Sequence, residues 1–585
     1  MGLLQRAVET YDANQNLAGI YREGHAPLAP IGHLLTSANI EVTLDREGKF
    51  LSARRVDKSE PKIIIPVTED SAGRTSAAAK MPHPLCEQIK HLTAEENYYL
   101  PQLALWQKSE FTHPFLEPIL GYLQAGSLRS DLLTSIGALK EDDLVCWRVV
   151  GFPDEEPACW KNTRLMHAFT EYYGSRISKR ENVLCMVDGT QTVTASQHLK
   201  GIIPVNGNAK LISANDTSGF TFRGRFSSDW QAATVGYVNS QKAHNALRWL
   251  ASEQGVREAV GTRTFLCWSP QGVSIPKPTR SFRSTEAAPQ TRPSDYRGAL
   301  SATLMSYRKD HRLTGNEQVV LAAFDAATTG RLSLVYYNEF QLDLFMDRIK
   351  EWDNYCCWYN GRYGIQSFNL LEIVKCAFGT QRNNMLETDD RAQRLLVQRL
   401  LDCKVNGGVF PADMKEALVQ RASTPTAYEE SSWRAIVRCA CAAIQKYHYD
   451  TKQGGDEMSW NLDKQDRSFQ YGRLLAVMER AEADFYYKTN ETRQTNAIKF
   501  MSEYRQRPWT VFERINRQLH QAYLNRIDPW QAVRYERLKD EICKILCSFD
   551  EKELNLPLTD LYLIGYELQR GTFFEKSKEK TPSEE

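Results

Sequence analysis

The spacing of apolar positions changes character several times along the chain, and each change predicts a different kind of element. Residues 3–11 carry a helical period, and a loop rich in Gly, Pro and His follows. The runs 41–44 and 49–53 flank a Gly-containing turn and read as a hairpin, while 62–66 adds a largely apolar third strand ended by Pro66. Residues 68–80 are small and polar over a length that marks a functional loop. From 84 to 135 the period is helical. Between 143 and 268 the pattern is mixed, with strands at 144–150, 183–187 and 264–268. A helix at 240–254 is capped by Ser240, striped by Ala243, Leu247 and Leu250, and stopped by Gly255. The Pro-, Ser- and Arg-rich stretch 270–297 reads as an exposed loop or linker. A second β unit at 319–323 and 332–337 feeds an amphipathic helix near 339–352.

Beyond residue 385 nearly every apolar position recurs at three or four residues, with short loops at Gly407-Gly408 and Gly454-Gly455. Helices at 469–487, 492–504, 509–525 and 530–549 form a bundle. The fold class is therefore α+β and multidomain: a mixed α/β amino-terminal part with antiparallel sheets, and an all-α helical bundle at the carboxy terminus. The expected segments are 1–140 (β-meander plus helices), 141–384 (basic α+β region), 385–457 (helical connector), 458–574 (bundle) and 575–585 (charged tail).

Composition narrows the class. Of 585 residues 42% are hydrophobic and 25% charged, which excludes wholesale disorder. No apolar run approaches the ~18 residues of a spanning helix, and residues 1–15 lack signal-peptide character, so no membrane partner is expected. Thirteen cysteines without a CxxC pair fit a reducing, cytoplasmic (prokaryotic) compartment. The net charge of +1 hides an uneven distribution: residues 161–312 hold 21 basic and 10 acidic side chains, whereas 1–160 hold 15 and 22. A local cationic excess attracts polyanions and is the expected footprint of phosphate-backbone binding.

Catalytic signatures are missing: no phosphate loop, dinucleotide fingerprint, HExxH or GxSxG. Cys439/Cys441, Cys543/Cys547 and Cys356-Cys357 read as buried thiols, His244 as a surface or core imidazole, and the clusters 141–143 and 154–156 as solvated loops rather than magnesium sites. Residues 207–226 stand out. They combine phosphate donors (Lys210, Ser213, Asn215, Thr217, Ser218, Arg223, Arg225) with Phe220, Phe222 and Phe226, a composition suited to tracking a backbone and stacking a base. In the loop 68–80, Arg74, Thr75, Ser76 and Lys80 are candidates to enter a DNA groove. In the bundle, Arg505, Arg507, Arg514 and Arg517 interleave with Tyr504, Trp509 and Phe512 and are candidates to line a single strand.

Four stretches, LISANDTSGFTFRGRF (211–226), KAHNALRWLASEQG (242–255), GNEQVVLAAFDAATTGRLSLVYYNEF (315–340) and LYLIGYELQRGTFF (561–574), together resemble the large subunit of the subtype I-C CRISPR surveillance complex, Cascade (the Csd-type family). The resemblance implies a non-enzymatic subunit at the base of a crRNA-guided complex, with no cofactor and no metal. Its implied partners are crRNA, target double-stranded DNA, the handle-binding, backbone and small subunits, and a recruited nuclease-helicase. Such a subunit contacts the PAM duplex and stabilises the R-loop while guide pairing reads the remaining sequence. The resemblance carries a backbone-binding role to Lys210, Ser213, Asn215, Arg223, Arg225, Lys242 and Asn245. It likens the bundle to the small subunit, translated separately from an internal start; Met458 would open a product of 128 residues. Two rivals remain: a metal-dependent nuclease using Asp142 or Asp154, and a purely structural scaffold.

Overall fold

Helix α1 (Leu3–Ala13) buries Leu3, Ala7 and Tyr11 at helical spacing, and four strands follow: β1 (His33–Thr36), β2 (Ile40–Leu44), β3 (Phe50–Arg55) and β4 (Ile63–Pro66). The computed structural model describes residues 2–73, 78–203, 209–213, 226, 229–253, 255–272, 274–282, 289–328, 330–451 and 461–573. β2 and β3 form the expected hairpin, but β4 leaves it and pairs with β1. Burial explains the departure. β4 is buried on both faces, whereas β3 is largely exposed, and a strand apolar on both sides needs cover that a half-solvated hairpin lacks. The expected loop at 68–80 begins as helix α2 (Glu69–Gly73), led by two acidic residues that suit a helix amino terminus.

β5 (Cys86–Gln88) interrupts the helical stretch before α3 (Ile89–Leu92), α4 (Tyr99–Gln107), α5 (Leu116–Ala125) and α6 (Leu128–Ile136). β6 (Leu144–Val149) then lies parallel to β2, giving the sheet order β3-β2-β6-β5, so strands on both sides of residue 140 share one sheet. Helix α7 (Thr163–Ile177) starts on the Asn162 side chain, which accepts from Leu165 N, and packs Phe169 into a core with Trp106, Phe115 and Trp147. After the hairpin of β7 (Asn182–Leu184) and β8 (Gln191–Val193) comes α8 (Tyr237–Ser252). It begins after Gly236, one turn before the expected cap; Ser240 is instead buried within it. The strands β9 (Arg257–Val260), β10 (Arg263–Trp268), β11 (Gln318–Thr328) and β12 (Arg331–Gln341) form an antiparallel sheet, and its apolar face joins α1 and α8 in a second core around Leu247, Trp268 and Val320.

The chain clusters into two compact units, Met1–Lys277 with His311–Leu342, and Pro278–Asp310 with Asp343–Glu585. The second unit holds α9 (Pro293–Asp310), α10 (Leu342–Tyr355), α11 (Leu370–Phe378), α12 (Asp390–Asn406), α13 (Ala412–Ala422), α14 (Glu430–Thr451) and α15 (Arg467–Thr489). It continues through α16 (Asn496–Lys499), α17 (Met501–Gln506), α18 (Pro508–Ala522), α19 (Pro529–Leu546) and α20 (Leu561–Gly571). The expected exposed linker is in part structural: Thr279 is buried, Lys404 donates to the Arg280 carbonyl at 3.0 Å, and Phe282 N donates to the buried Asp353 at 2.7 Å. Polar anchors of this kind fix an irregular strand of chain where periodicity gives no signal. Within the bundle α15 and α20 cross at glycines. A Cβ on Gly472 would lie 1.9 Å from the Tyr562 carbonyl oxygen, and one on Gly565 would lie 2.0 Å from that of Phe469. The stretch 561–574 is thus a packing motif in its described residues. Met458 and the tail 575–585 lie outside the described residues. Among the described residues no helix is long and apolar enough to cross a membrane.

Candidate nucleic-acid interface

The register of β2 against β3 sets Glu41 opposite Arg54, and β6 brings Arg148 to the other side of the same carboxylate. Glu41 is buried, accepting from Arg54 Nη2 at 2.5 Å on one oxygen and from Arg148 Nε at 2.5 Å on the other; Arg54 also reaches Glu60 at 2.7 Å. These groups form part of the wall of a cleft of about 1280 Å³ in the first unit. Its other walls come from the loop after Tyr21, from β1 and β4, from Trp160 and Lys161, from residues 199–203, and from Arg248 of α8. The volume exceeds the ~300–1,000 Å³ of an ordinary small-ligand pocket.

The lining carries seven Lys or Arg (Arg22, Arg54, Lys62, Arg148, Lys161, Lys200, Arg248) against three Glu (Glu23, Glu41, Glu60). Arg148 lies over the Trp160 ring at 5.4 Å and Lys161 over the Tyr21 ring at 5.7 Å, so aromatic faces help to orient two of the cations. A concave surface with this surplus focuses positive potential and collects a polyanion.

Beside the cleft, Glu69 ties together three parts of the chain. Its buried carboxylate accepts from Ser196 N at 2.6 Å, from Gln197 N at 3.3 Å and from Arg180 at 2.5 Å, while Tyr173 Oη accepts from Glu69 N at 3.1 Å. Gln197 Oε1 in turn accepts from Lys210 Nζ at 2.7 Å, and a Cβ on Gly73 would lie 3.5 Å from that same Nζ. The loop starting at 68 and the segment starting at 207, singled out separately in the sequence, therefore meet at Gly73, Gln197 and Lys210. Burial first, and then the Lys200 charge, pulls the Lys210 pKa below its ordinary value.

The other expected residues divide. Arg74, Thr75, Ser76, Asn215, Thr217, Ser218, Arg223 and Arg225, with Phe220 and Phe222, lie outside the described residues. Lys80 and Ser213 are exposed. Lys242 pairs with Asp12 at 2.7 Å. Asn245 is buried, and its amide donates to the carbonyls of Pro30 at 3.1 Å and His33 at 3.2 Å; a phosphate contact would require it to abandon both. His244 is a core residue: its Nδ1 meets the Ser240 carbonyl oxygen at 2.7 Å, and burial holds its pKa at about 4. In the bundle, Arg505 donates to Gln420 at 2.8 Å and Arg514 to Glu503, while Arg507 and Arg517 are exposed. Tyr504 and Phe512 are buried and offer no face for stacking, because helical spacing turned both toward the core. Among the acidic clusters, Glu141 pairs with Arg129 at 2.6 Å, Asp142 with Lys90 and Asp143 with Arg55 at 3.2 Å. No group of three His, Cys, Asp or Glu suited to a metal ion occurs among the described residues.

Sequence reasoning missed Arg148, Trp160 and Arg248. Arg54 was not reached by counting back through the hairpin from its turn, because a bulge between Thr43 and Leu44 shifts the register by one residue and so brings Arg54 rather than Ala53 opposite Glu41; Arg248 was signalled only by being a cation inside a helix that is apolar on more than one face.

Compared with known proteins, residues 8–574 match the model of a family described as CRISPR-associated protein (Cas_Csd1). No curated protein matches the chain.

Proposed function

We propose a role that proceeds from one premise: the chain belongs to the Cas_Csd1 family of CRISPR-associated proteins. It acts as the non-catalytic large subunit of a crRNA-guided type I-C interference complex. The cleft of the first unit receives the duplex beside the target, where the loop 68–80 tests the PAM base pairs and strand separation begins. Backbone contacts add to the affinity of every target, base contacts select among them, and the guide reads the remaining sequence. The bundle holds the displaced strand, and the assembled complex recruits the nuclease-helicase. The observation that supports this reading best is the cleft, with seven cations against three carboxylates beside the place where Gly73 approaches Lys210.

The test is purification with crRNA and partner subunits, followed by binding to duplexes that differ only in the base pairs flanking the target. A loss of tenfold or more for wrong flanks is expected, since one base-reading contact is worth about 1–3 kcal/mol. Equal affinity for all flanks overturns the PAM role. Magnesium-dependent cleavage by the purified chain, lost in Asp142→Asn or Asp154→Asn, overturns the non-catalytic role.

A further inference from the structure

We propose that Arg248 forms an anion site on the wall of the cleft that takes one phosphate group, and, resting on the interface reading above, that this group belongs to bound nucleic acid. Most of α8 is buried, with Leu247 and Trp249 on either side of Arg248, yet the Arg248 side chain lines the cleft. Among the described residues its guanidinium makes one hydrogen bond, from Nη2 to the Leu35 carbonyl oxygen at 3.2 Å, and has no carboxylate partner. A guanidinium offers five N–H donors, so the fork that matches a phosphate is left unclaimed.

Five arginines elsewhere in the chain do meet a carboxylate. Arg54 and Arg148 share Glu41, Arg6 meets Glu339 at 2.8 Å, Arg180 meets Glu69 at 2.5 Å, and Arg473 meets Glu541 at 3.3 Å. A largely desolvated cation without a counter-charge is costly. Burial draws the Arg248 pKa down to about 10, which leaves the group charged at neutral pH. An incoming phosphate removes the cost by supplying the missing anion and accepting two parallel N–H bonds.

The experiment uses the full chain, labelled duplex DNA and a salt titration in phosphate-free buffer, with Arg248→Gln and Arg248→Lys as variants. For Arg248→Gln the slope of log affinity against log salt is expected to fall by about 0.9, with the charge-preserving Arg248→Lys keeping the slope. If the loss appears only on duplexes bearing a 5′-phosphate, the site stands and its ligand is a terminal rather than a backbone phosphate. An unchanged slope in folded Arg248→Gln overturns the proposal, whatever happens to affinity, because packing damage alone does not alter counterion release. If the wild type binds no duplex, the interface reading falls separately. The anion site is then decided by inorganic phosphate at about 20 mM, which should raise the melting temperature of the wild type and not of Arg248→Gln; equal shifts overturn it.

Discussion

Along the cleft of the first unit cations outnumber carboxylates seven to three, whereas in the helices of the second unit several cations are taken up by carboxylates within a turn or across a helix contact. Arg434 meets Glu479 at 2.9 Å, Arg473 meets Glu541 at 3.3 Å, Arg480 meets Asp484 at 2.6 Å and Lys539 meets Glu536 at 2.8 Å. The same residue types are present, but pairing decides what they do. A paired cation orients helices and contributes little field outside, while an unpaired one in a concave wall attracts an anion. Total charge is blind to this, and so is the charge of a sequence block: four of the seven cleft cations come from residues before 161, where acidic side chains are in excess.

The units also differ in how they should fail in acid, and this is the largest effect expected. His33, His198 and His244 are buried in the first unit, where desolvation above all holds their pKa values at about 4, 3 and 4. In the unfolded chain these groups titrate near ~6.5, so below that pH the unfolded state binds more protons and folding loses stability. The contribution is complete above about pH 6.5 and is lost as pH falls toward about 4, with a slope approaching roughly 4 kcal/mol per pH unit for three protons. In the second unit His448 and His520 face Asp560 and Glu536, each at 3.4 Å. Hydrogen exchange followed from pH 7 to 5 should therefore show α8 losing protection before α15; simultaneous loss would break the contrast.

Next in size is the glycine crossing. Gly565→Ala drives a methyl group into the Phe469 carbonyl and forces α15 and α20 apart, at an expected cost of about 3 kcal/mol. Denaturant unfolding should lose that stability in the transition that melts the bundle, with the exchange protection of β10 and β11 unchanged. A cost below about 1 kcal/mol would mean that the two helices are not closely packed at this point.

How much of this was legible follows from the range of each signal. The hairpin 41–53, the helix near 240–252 and the bundle helices were readable because period and turn residues are local. The pairing of β4 with β1 and the parallel register of β6 against β2 were not, since both depend on contacts far apart in sequence. Glu69 looked like one acid in a polar loop. Its role emerges only when Arg180 and the 196–197 amides converge on it. Asn245 and Lys242 fell inside a motif that suggested phosphate, but one face of α8 is core, and Asn245 sits on that face.

The smallest effects test whether pairing also governs the bundle face considered for a single strand. Arg514 joins Glu503 with both side chains near half exposed, at 40% and 49%, and lies over the Phe500 ring at 4.0 Å. Arg514→Gln should cost no more than about 0.5 kcal/mol and leave the salt dependence of single-strand binding unchanged, because its charge is already committed. Arg507 and Arg517 are exposed and have no carboxylate partner among the described residues, so their charge is available. Changing both to Gln should lower the slope of log affinity against log salt on an oligothymidine strand by about 1.4, the sum for two phosphates on single strands. An unchanged slope in that double variant would remove the strand path from this face. A fall in Arg514→Gln equal to that of either exposed arginine would show that exposure, rather than the lack of a partner, decides which cations meet the strand.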